Sequence, residues 1–243
     1  MIYTEFAELY DELFDPEMYQ QWLAFVQANT RPGSLLDLAC GNGRLAISLA
    51  QNGYQAAGLD LSADMLAIAS QKATTAGVEL PLYNGNMLDL AGLAARDVIT
   101  CFDDSICYLA NAAEVAEMMK QVFATLNSGG IFLFDVITPY QTDVVYPGYM
   151  YNYHDEDRAF MWRSYAGDDE HSVEHDLSFF NYNPTKDAYD EVSELHRERT
   201  YPLDVYQKAL TDAGFTAINV SADFGNAEIK PDTTRWFFTA KKG

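Results

Sequence analysis

The sequence predicts an α/β fold: a doubly wound, mostly parallel sheet, interrupted late by an antiparallel β insertion. Three observations predict it. Short apolar runs alternate with helix-period segments between residues 34 and 136, the pattern of a parallel sheet with helices on both faces. Between residues 150 and 200 the period shifts to two, as in antiparallel strands. Helix and strand then alternate again from Pro202 to Lys241.

Residues 4–29 read as helices. Phe6, Leu9, Tyr10 and Leu13, then Tyr19, Trp22, Leu23 and Val26, recur at i, i+3, i+4, i+7. Pro16 suits the first position of the second helix, and Arg31-Pro32-Gly33 stops it. The spacing then predicts a strand over 34–39, a helix over 43–51, a strand over 54–59 and a helix over 63–75 ended near Gly77. Strands over 80–83 and 97–102 follow, then a helix over 112–126. The turn Asn127-Ser128-Gly129-Gly130 leads into a strand over 131–136. In the insertion, Phe160, Trp162 and Ser164, then Val173, His175, Leu177 and Phe179, alternate with polar neighbours, and a third run covers 188–199. With turns at Asp168-Asp169 and Asn183-Pro184, this reads as a three-stranded meander. A helix over 202–213, stopped by Gly214, and strands over 217–222 and 234–241 complete the chain. The main domain is therefore expected over 1–145 and 201–243, with a helical cap over about 1–30. Residues 146–200 form the insertion, a type of element that often covers a substrate.

At 243 residues, 49% of them hydrophobic, the chain is ample for a buried core. Its thirty-six Asp and Glu against fifteen Lys and Arg give a net charge of −21. Nucleic-acid binding rests on Lys and Arg neutralising phosphates, and anionic membranes attract the same residues. Both partners are disfavoured, and a small or cationic substrate fits better. No apolar run approaches the ~18 residues of a membrane span. The first thirty residues carry acids where a secretion signal carries bases, so a cytoplasmic location is expected. Cys40, Cys101 and Cys107 have no CxxC spacing and no histidine cluster beside them, which argues against a zinc site and a disulfide framework; no metal is expected. His171 and His175 would share one face of a strand, where a solvated charged surface outweighs a metal pair.

Leu35-Leu36-Asp37-Leu38-Ala39-Cys40-Gly41-Asn42-Gly43 is the centre of the functional reading. A strand runs into a glycine turn and a helix follows, so the backbone can take positive φ and admit a ligand closely, and the helix start offers free N–H groups. Gly41-x-Gly43-x-x-Ala46 also meets the loose dinucleotide fingerprint. Asp37 separates the readings. A carboxylate at the end of the strand repels a pyrophosphate and favours an ammonium or sulfonium group, such as S-adenosylmethionine carries. Asp60, ending the next strand, suits ribose hydroxyls in either case. Asn86 can meet an adenine edge, and Met87 can pack on its ring.

The set DLACGNG, GLDLSADML, GNMLDL and LNSGGIFLFDV resembles the class I S-adenosylmethionine-dependent methyltransferases, in particular the small-molecule group that includes glycine N-methyltransferase. The resemblance covers roughly 1–140 and 200–240 and implies a seven-stranded Rossmann-like sheet. It implies that Asp37, Ala39 and Gly41, with Cys40 between them, line the methionine part of the cofactor, that Gly43 shapes the turn and that Asp60 holds the ribose. It further implies that Leu61 packs on adenine, that Asn86 and Met87 read it, and that the Phe102 backbone accepts from the ammonium. Tyr10 would lie over the methionine carboxylate or the transferring methyl. Two departures stand out: Ala39 where glycine is commoner, and Asn86 where Asp is commoner.

Methyl transfer is an in-line displacement that gains most from alignment and water exclusion, and it needs a base only when the acceptor must lose a proton. Asp103 and Asp104, after the fourth strand, are candidates alongside Tyr10. Asp135, Tyr140 and His154 are weaker ones. The Asn/Asp-Pro-Pro-Tyr signature of nucleic-acid amino methyltransferases is absent at 103–106. Insertion aromatics Phe160, Trp162, Tyr165, Phe179, Phe180 and Tyr182 could wall an acceptor pocket or serve cation–π contacts. The reading is a methyltransferase acting on a small molecule, an amine being the candidate class. The alternatives are an NAD(P)-dependent oxidoreductase and a non-catalytic S-adenosylmethionine-binding module.

Overall fold

A computed structural model describes residues 16–243. Helix α1 (Pro16–Asn29) leads into β1 (Ser34–Leu38), α2 (Arg44–Gln51), β2 (Gln55–Asp60), α3 (Ala63–Ala76), β3 (Leu82–Asn84) and β4 (Arg96–Cys101). A 3₁₀ turn over Ser105–Tyr108, α4 (Ala112–Thr125), β5 (Leu126–Ile137) and a π turn over Gln141–Val145 follow. Four strands come next: β6 (Met150–His154), β7 (Arg158–Ala166), β8 (Ser172–Asn183) and β9 (Ala188–Arg199). Then come α5 (Leu203–Ala213), β10 (Phe215–Ser221) and β11 (Arg235–Lys242).

Seven strands form one sheet in the order β10-β11-β5-β4-β1-β2-β3. Strands β1 to β5 pair in parallel, while β11 runs antiparallel to both β5 and β10. This is the expected doubly wound architecture. Side chains one residue apart on a strand point to opposite faces, and the core divides accordingly. Leu35, Val98, Leu133 and Phe237 pack with Trp22, Phe25 and Val26 of α1 and with Leu45 and Leu49 of α2. Leu36, Ile99, Phe132, Phe134 and Phe238 pack with Val115, Met119 and Val122 of α4 and with Tyr206 and Leu210 of α5. Both faces are buried, as a parallel sheet requires.

Two sequence expectations need correction. The Asn127–Gly130 turn lies inside β5: pairing with β4 jumps from Arg96↔Leu126 to Val98↔Ile131, and Gly129 takes φ 79° to absorb the excess. The insertion has four strands in the order β6-β7-β8-β9 rather than three. Strand β6 escaped notice because all five of its residues are exposed, so burial imposed no alternation. Backbone pairing from Met150↔Arg163 to His154↔Ala159 holds it in the sheet. Phe160, Leu177 and Phe179 make this second sheet's own small core, with Trp162 against it.

Candidate active site

The parallel strands end at one edge, and turns with left-handed backbone follow β1 and β4. After β1, Ala39 (φ 52°), Gly41 (φ 51°) and Gly43 (φ 77°) adopt left-handed backbone. Gly43 has no freedom to be larger, since a Cβ there would stand 2.9 Å from that of Ala69 on α3. At Gly41 the space is open: a Cβ would meet nothing within 4 Å. The Gly41 N–H donates to Asp60 Oδ2 at 2.7 Å and the Ser62 N–H to Oδ1 at 2.8 Å, so the Asp60 carboxylate ties the ends of β1 and β2 together. Asn84 fixes the same corner, donating from Nδ2 to the Leu61 and Asp60 carbonyls at 2.9 and 3.2 Å. Beside it Leu61 leaves 73% of its surface exposed, on a cleft shared with Ala39, Gly41, Asp60, Asn86 and Met87. Asn86 is partly occupied, accepting the Leu88 N–H on Oδ1 at 2.9 Å.

A narrower recess continues from this cleft past Asp37, Cys40 and Phe102 to Tyr19 and Trp22 of α1. Asp37 is 3% exposed and accepts the Thr100 hydroxyl at 2.6 Å. Burial pushes its carboxyl up to about 7; the Thr100 bond opposes the rise, and the Asp60 charge adds to it. Burial, with the Asp37 and Asp60 charges, drives the Cys40 thiol upward as well, so it stays neutral.

Asp103 and Asp104 both hold left-handed backbone, at φ 58° and 59°; for non-glycine residues this is strain of the kind that collects at functional sites. Asp104 meets Arg235 at the start of β11, and Asp135 at the end of β5 completes the group: Arg235 Nη1 lies 2.6 Å from Asp104 and 3.1 Å from Asp135. The Trp22 indole donates to the other Asp135 oxygen at 2.7 Å. Burial raises the Asp104 carboxyl to about 6 against the pull of Arg235. Asp103 stands next to this group and is pushed up to about 7, by burial first and then by the Asp104 charge.

Beyond Asp103 lies a chamber of about 400 Å³ between the sheet edge and the insertion. Tyr149 and Trp162 meet edge to face with ring centres 5.5 Å apart, and they share the wall with Tyr146, Tyr151 and Phe160. Asp103, Asp104, Glu198 and Arg235 supply its charge. Glu198 is 8% exposed, and burial, reinforced by the Asp104 charge, pushes its carboxyl up to about 8.

The residues singled out in the sequence thus gather on two connected spaces. Asp37, Ala39, Cys40, Gly41, Asp60, Leu61, Asn86, Met87 and Phe102 line the cleft and its recess, and Gly43 shapes the turn beneath. Asp103 lines all three cavities, and Asp104 lines the chamber. Tyr10 lies outside the described residues. Phe160 and Trp162 face the chamber, whereas Tyr165, Phe180 and Tyr182 do not, nor do Tyr140 and His154. The shared-face reading of the histidines is corrected: His171 sits in the turn before β8 at φ 58°, bonded to Asp143 at 2.7 Å, while His175 is 4% exposed. The turn takes up the residues that the alternation had assigned to a strand. Among the described residues no His, Cys, Asp and Glu cluster could hold a metal, and no helix is long and apolar enough to cross a membrane. Sequence reasoning missed Tyr146, Tyr149, Glu198 and Arg235. The one available signal was the alternation Glu194-x-His196-x-Glu198, which puts three ionisable groups on one strand face.

A methyltransferase-domain family profile matches residues 35–130. The YqeM protein of Bacillus subtilis (strain 168), a methyltransferase by name, is 39% identical over 244 residues, covering 100% of this chain and 98% of its own. A dTDP-3-amino-3,6-dideoxy-alpha-D-glucopyranose N,N-dimethyltransferase of Streptomyces fradiae is 34% identical over 134 residues, 52% of this chain and 51% of that one. The crystal structure of an S-adenosylmethionine-dependent methyltransferase from Clostridium acetobutylicum superposes with a TM-score of 0.86 at 28% identity, covering 99% of each chain.

Proposed function

The chain belongs to the S-adenosylmethionine-dependent methyltransferases, and we propose that it methylates the amine of a small molecule held in the aromatic chamber. The observation that carries this reading is the position of Asp103, a carboxyl of raised pKa on the wall common to the cofactor cleft and the chamber.

The cleft fits the cofactor on its own evidence. The open cradle at Gly41 admits a ligand against the backbone, and an exposed leucine such as Leu61 offers an apolar surface to an aromatic base. In this reading Asp60 accepts the ribose hydroxyls, Leu61 and Met87 take the two faces of adenine, and Asn86 meets its edge. Asp37 and the Phe102 carbonyl face the ammonium, and Ala39, Cys40 and Gly41 line the methionine chain. The cofactor supplies an electrophilic methyl on a sulfonium sulfur. The chain's own residues then align, desolvate and deprotonate. The aromatic wall excludes water and presents π faces to a cation. Asp103 attracts the acceptor in its ammonium form and takes a proton on its carboxylate, freeing the nitrogen lone pair. A base that titrates near neutrality is suited to that step. The partly similar Streptomyces fradiae enzyme is named for an amino sugar, which favours an amine over a phenol.

A transfer assay with labelled S-adenosylmethionine against matched amines and phenols tests the proposal. Label on the amines alone supports it. Label on phenols alone overturns the amine reading.

A further inference from the structure

In the chamber wall, His175 and Glu198 stand side by side, Nε2 of one 3.9 Å from Oε2 of the other. His175 Nδ1 receives the Trp162 indole N–H at 3.1 Å and lies 2.8 Å from the Ser164 hydroxyl. An indole nitrogen only donates, so Nδ1 is the acceptor and the ring proton of neutral His175 resides on Nε2. Burial, aided by His196, lowers the ring to about 4, which keeps it neutral. Nε2 then carries the N–H and lies 3.9 Å from Glu198 Oε2, beyond direct hydrogen-bond reach. Glu198 Oε2 is buried and has no hydrogen-bond partner among the described residues. Both side chains line the chamber.

A buried carboxyl oxygen left without a partner carries a cost that a ligand atom can remove, and His175 Nε2 stands beside it. One oxygen placed about 2.8 Å from each reaches both, with an angle near 90° at that oxygen. The chemistry of the two groups selects that atom. An ammonium only donates and would oppose the His175 N–H. A carbonyl only accepts and would oppose ionised Glu198. A hydroxyl has one proton to give and lone pairs to receive, so it satisfies His175 and Glu198 in either protonation state of the carboxyl.

We propose that the His175–Glu198 gap is a hydroxyl-reading subsite, and that the acceptor is a hydroxylated small molecule held there while its reacting group lies toward Asp103. The identity of that reacting group rests on the amine reading above; the hydroxyl subsite rests on the gap itself.

The test uses the full chain with S-adenosylhomocysteine and five probes: cyclohexylamine, cyclohexanol, and the 2-, 3- and 4-aminocyclohexanols. Binding is read by calorimetry and the His175 nitrogens by ¹⁵N NMR. We expect at least one aminocyclohexanol to bind about tenfold tighter than cyclohexylamine, a difference of about 1.4 kcal/mol. That advantage should vanish in Glu198→Leu, and cyclohexanol alone should shift His175 Nε2 in the unmutated protein, a readout that needs no variant to fold. Amines that bind equally with and without a hydroxyl, with His175 unmoved, overturn the subsite and leave the amine reading standing. If cyclohexanol moves His175 but the amino group adds no affinity, the subsite holds and the amine reading fails. Silence of His175 toward every probe overturns the subsite.

Discussion

Arg235 and Asp104, 131 positions apart in the chain, meet as a two-pronged ion pair, with Nη1 2.6 Å from Oδ1 and Nη2 2.7 Å from Oδ2. The pair fastens the first residue of β11 to the strained turn after β4, and Asp135, fully buried, draws on the same guanidinium. One cation therefore faces two buried carboxylates beneath the chamber. Replacing Arg235 by Met should destabilise the protein by about 3–5 kcal/mol, since breaking a buried pair leaves uncompensated charge. Adding Asp104→Asn should recover part of the loss. Urea unfolding of the single and double variants checks both statements.

Asp37 sets stability against function. Its carboxyl titrates near 7 in the folded protein and near 4 when unfolded. The folded state therefore holds the extra proton between those values, and stability falls as pH rises through that window. Asp37→Asn should raise stability at pH 8 by about 2 kcal/mol, within the ~1.4 kcal/mol per pKa unit available. At pH 4 it should do little. The same change should weaken S-adenosylmethionine binding. Thermal melts at the two pH values, beside a titration, decide it.

Leu61 offers a cleaner separation, because a side chain 73% exposed contributes little to folding. Leu61→Ala should change the unfolding free energy by no more than the ~0.5 kcal/mol of ordinary surface changes. It should still cost about 1 kcal/mol of cofactor affinity through lost apolar contact. A titration that returns unchanged affinity would remove Leu61 from the adenine surface.

Asp60→Ala takes away the acceptor of the Gly41 and Ser62 N–H groups as well as the proposed ribose partner. Cofactor affinity should drop by ~1.5–3 kcal/mol, the scale of a lost charge-assisted hydrogen bond. Calorimetry on the folded variant measures the loss directly.

If Asp103 takes the acceptor proton, the rate at saturating cofactor should climb as pH rises through about 7 and level off above it, since only the ionised form is a base. Asp103→Asn should lower the plateau ~100-fold or more and flatten the profile. A variant that loses rate while keeping the wild-type inflection would assign that titration to another group.

The sequence by itself determined the layered fold and the glycine-turned edge of its sheet. Leu35 and Leu36 sort to opposite faces because successive strand side chains must, and Gly41, Gly43 and Asp60 mark turns whose backbone requirements are local. Signals of this kind survive in a one-dimensional reading. The chamber does not: Glu198, Arg235, Tyr146 and Asp103 are far apart in the chain and meet only when β9 and β11 are placed against the turn after β4. Strand β6, fully exposed, left no apolar alternation to read, and His175 looked like a surface residue until Trp162 and Ser164 closed over it. Local conformation follows from residue type and period. The pKa of Asp103, the pairing of Arg235 and the gap beside Glu198 depend on burial and on charges brought in from distant segments, and only tertiary packing supplies these.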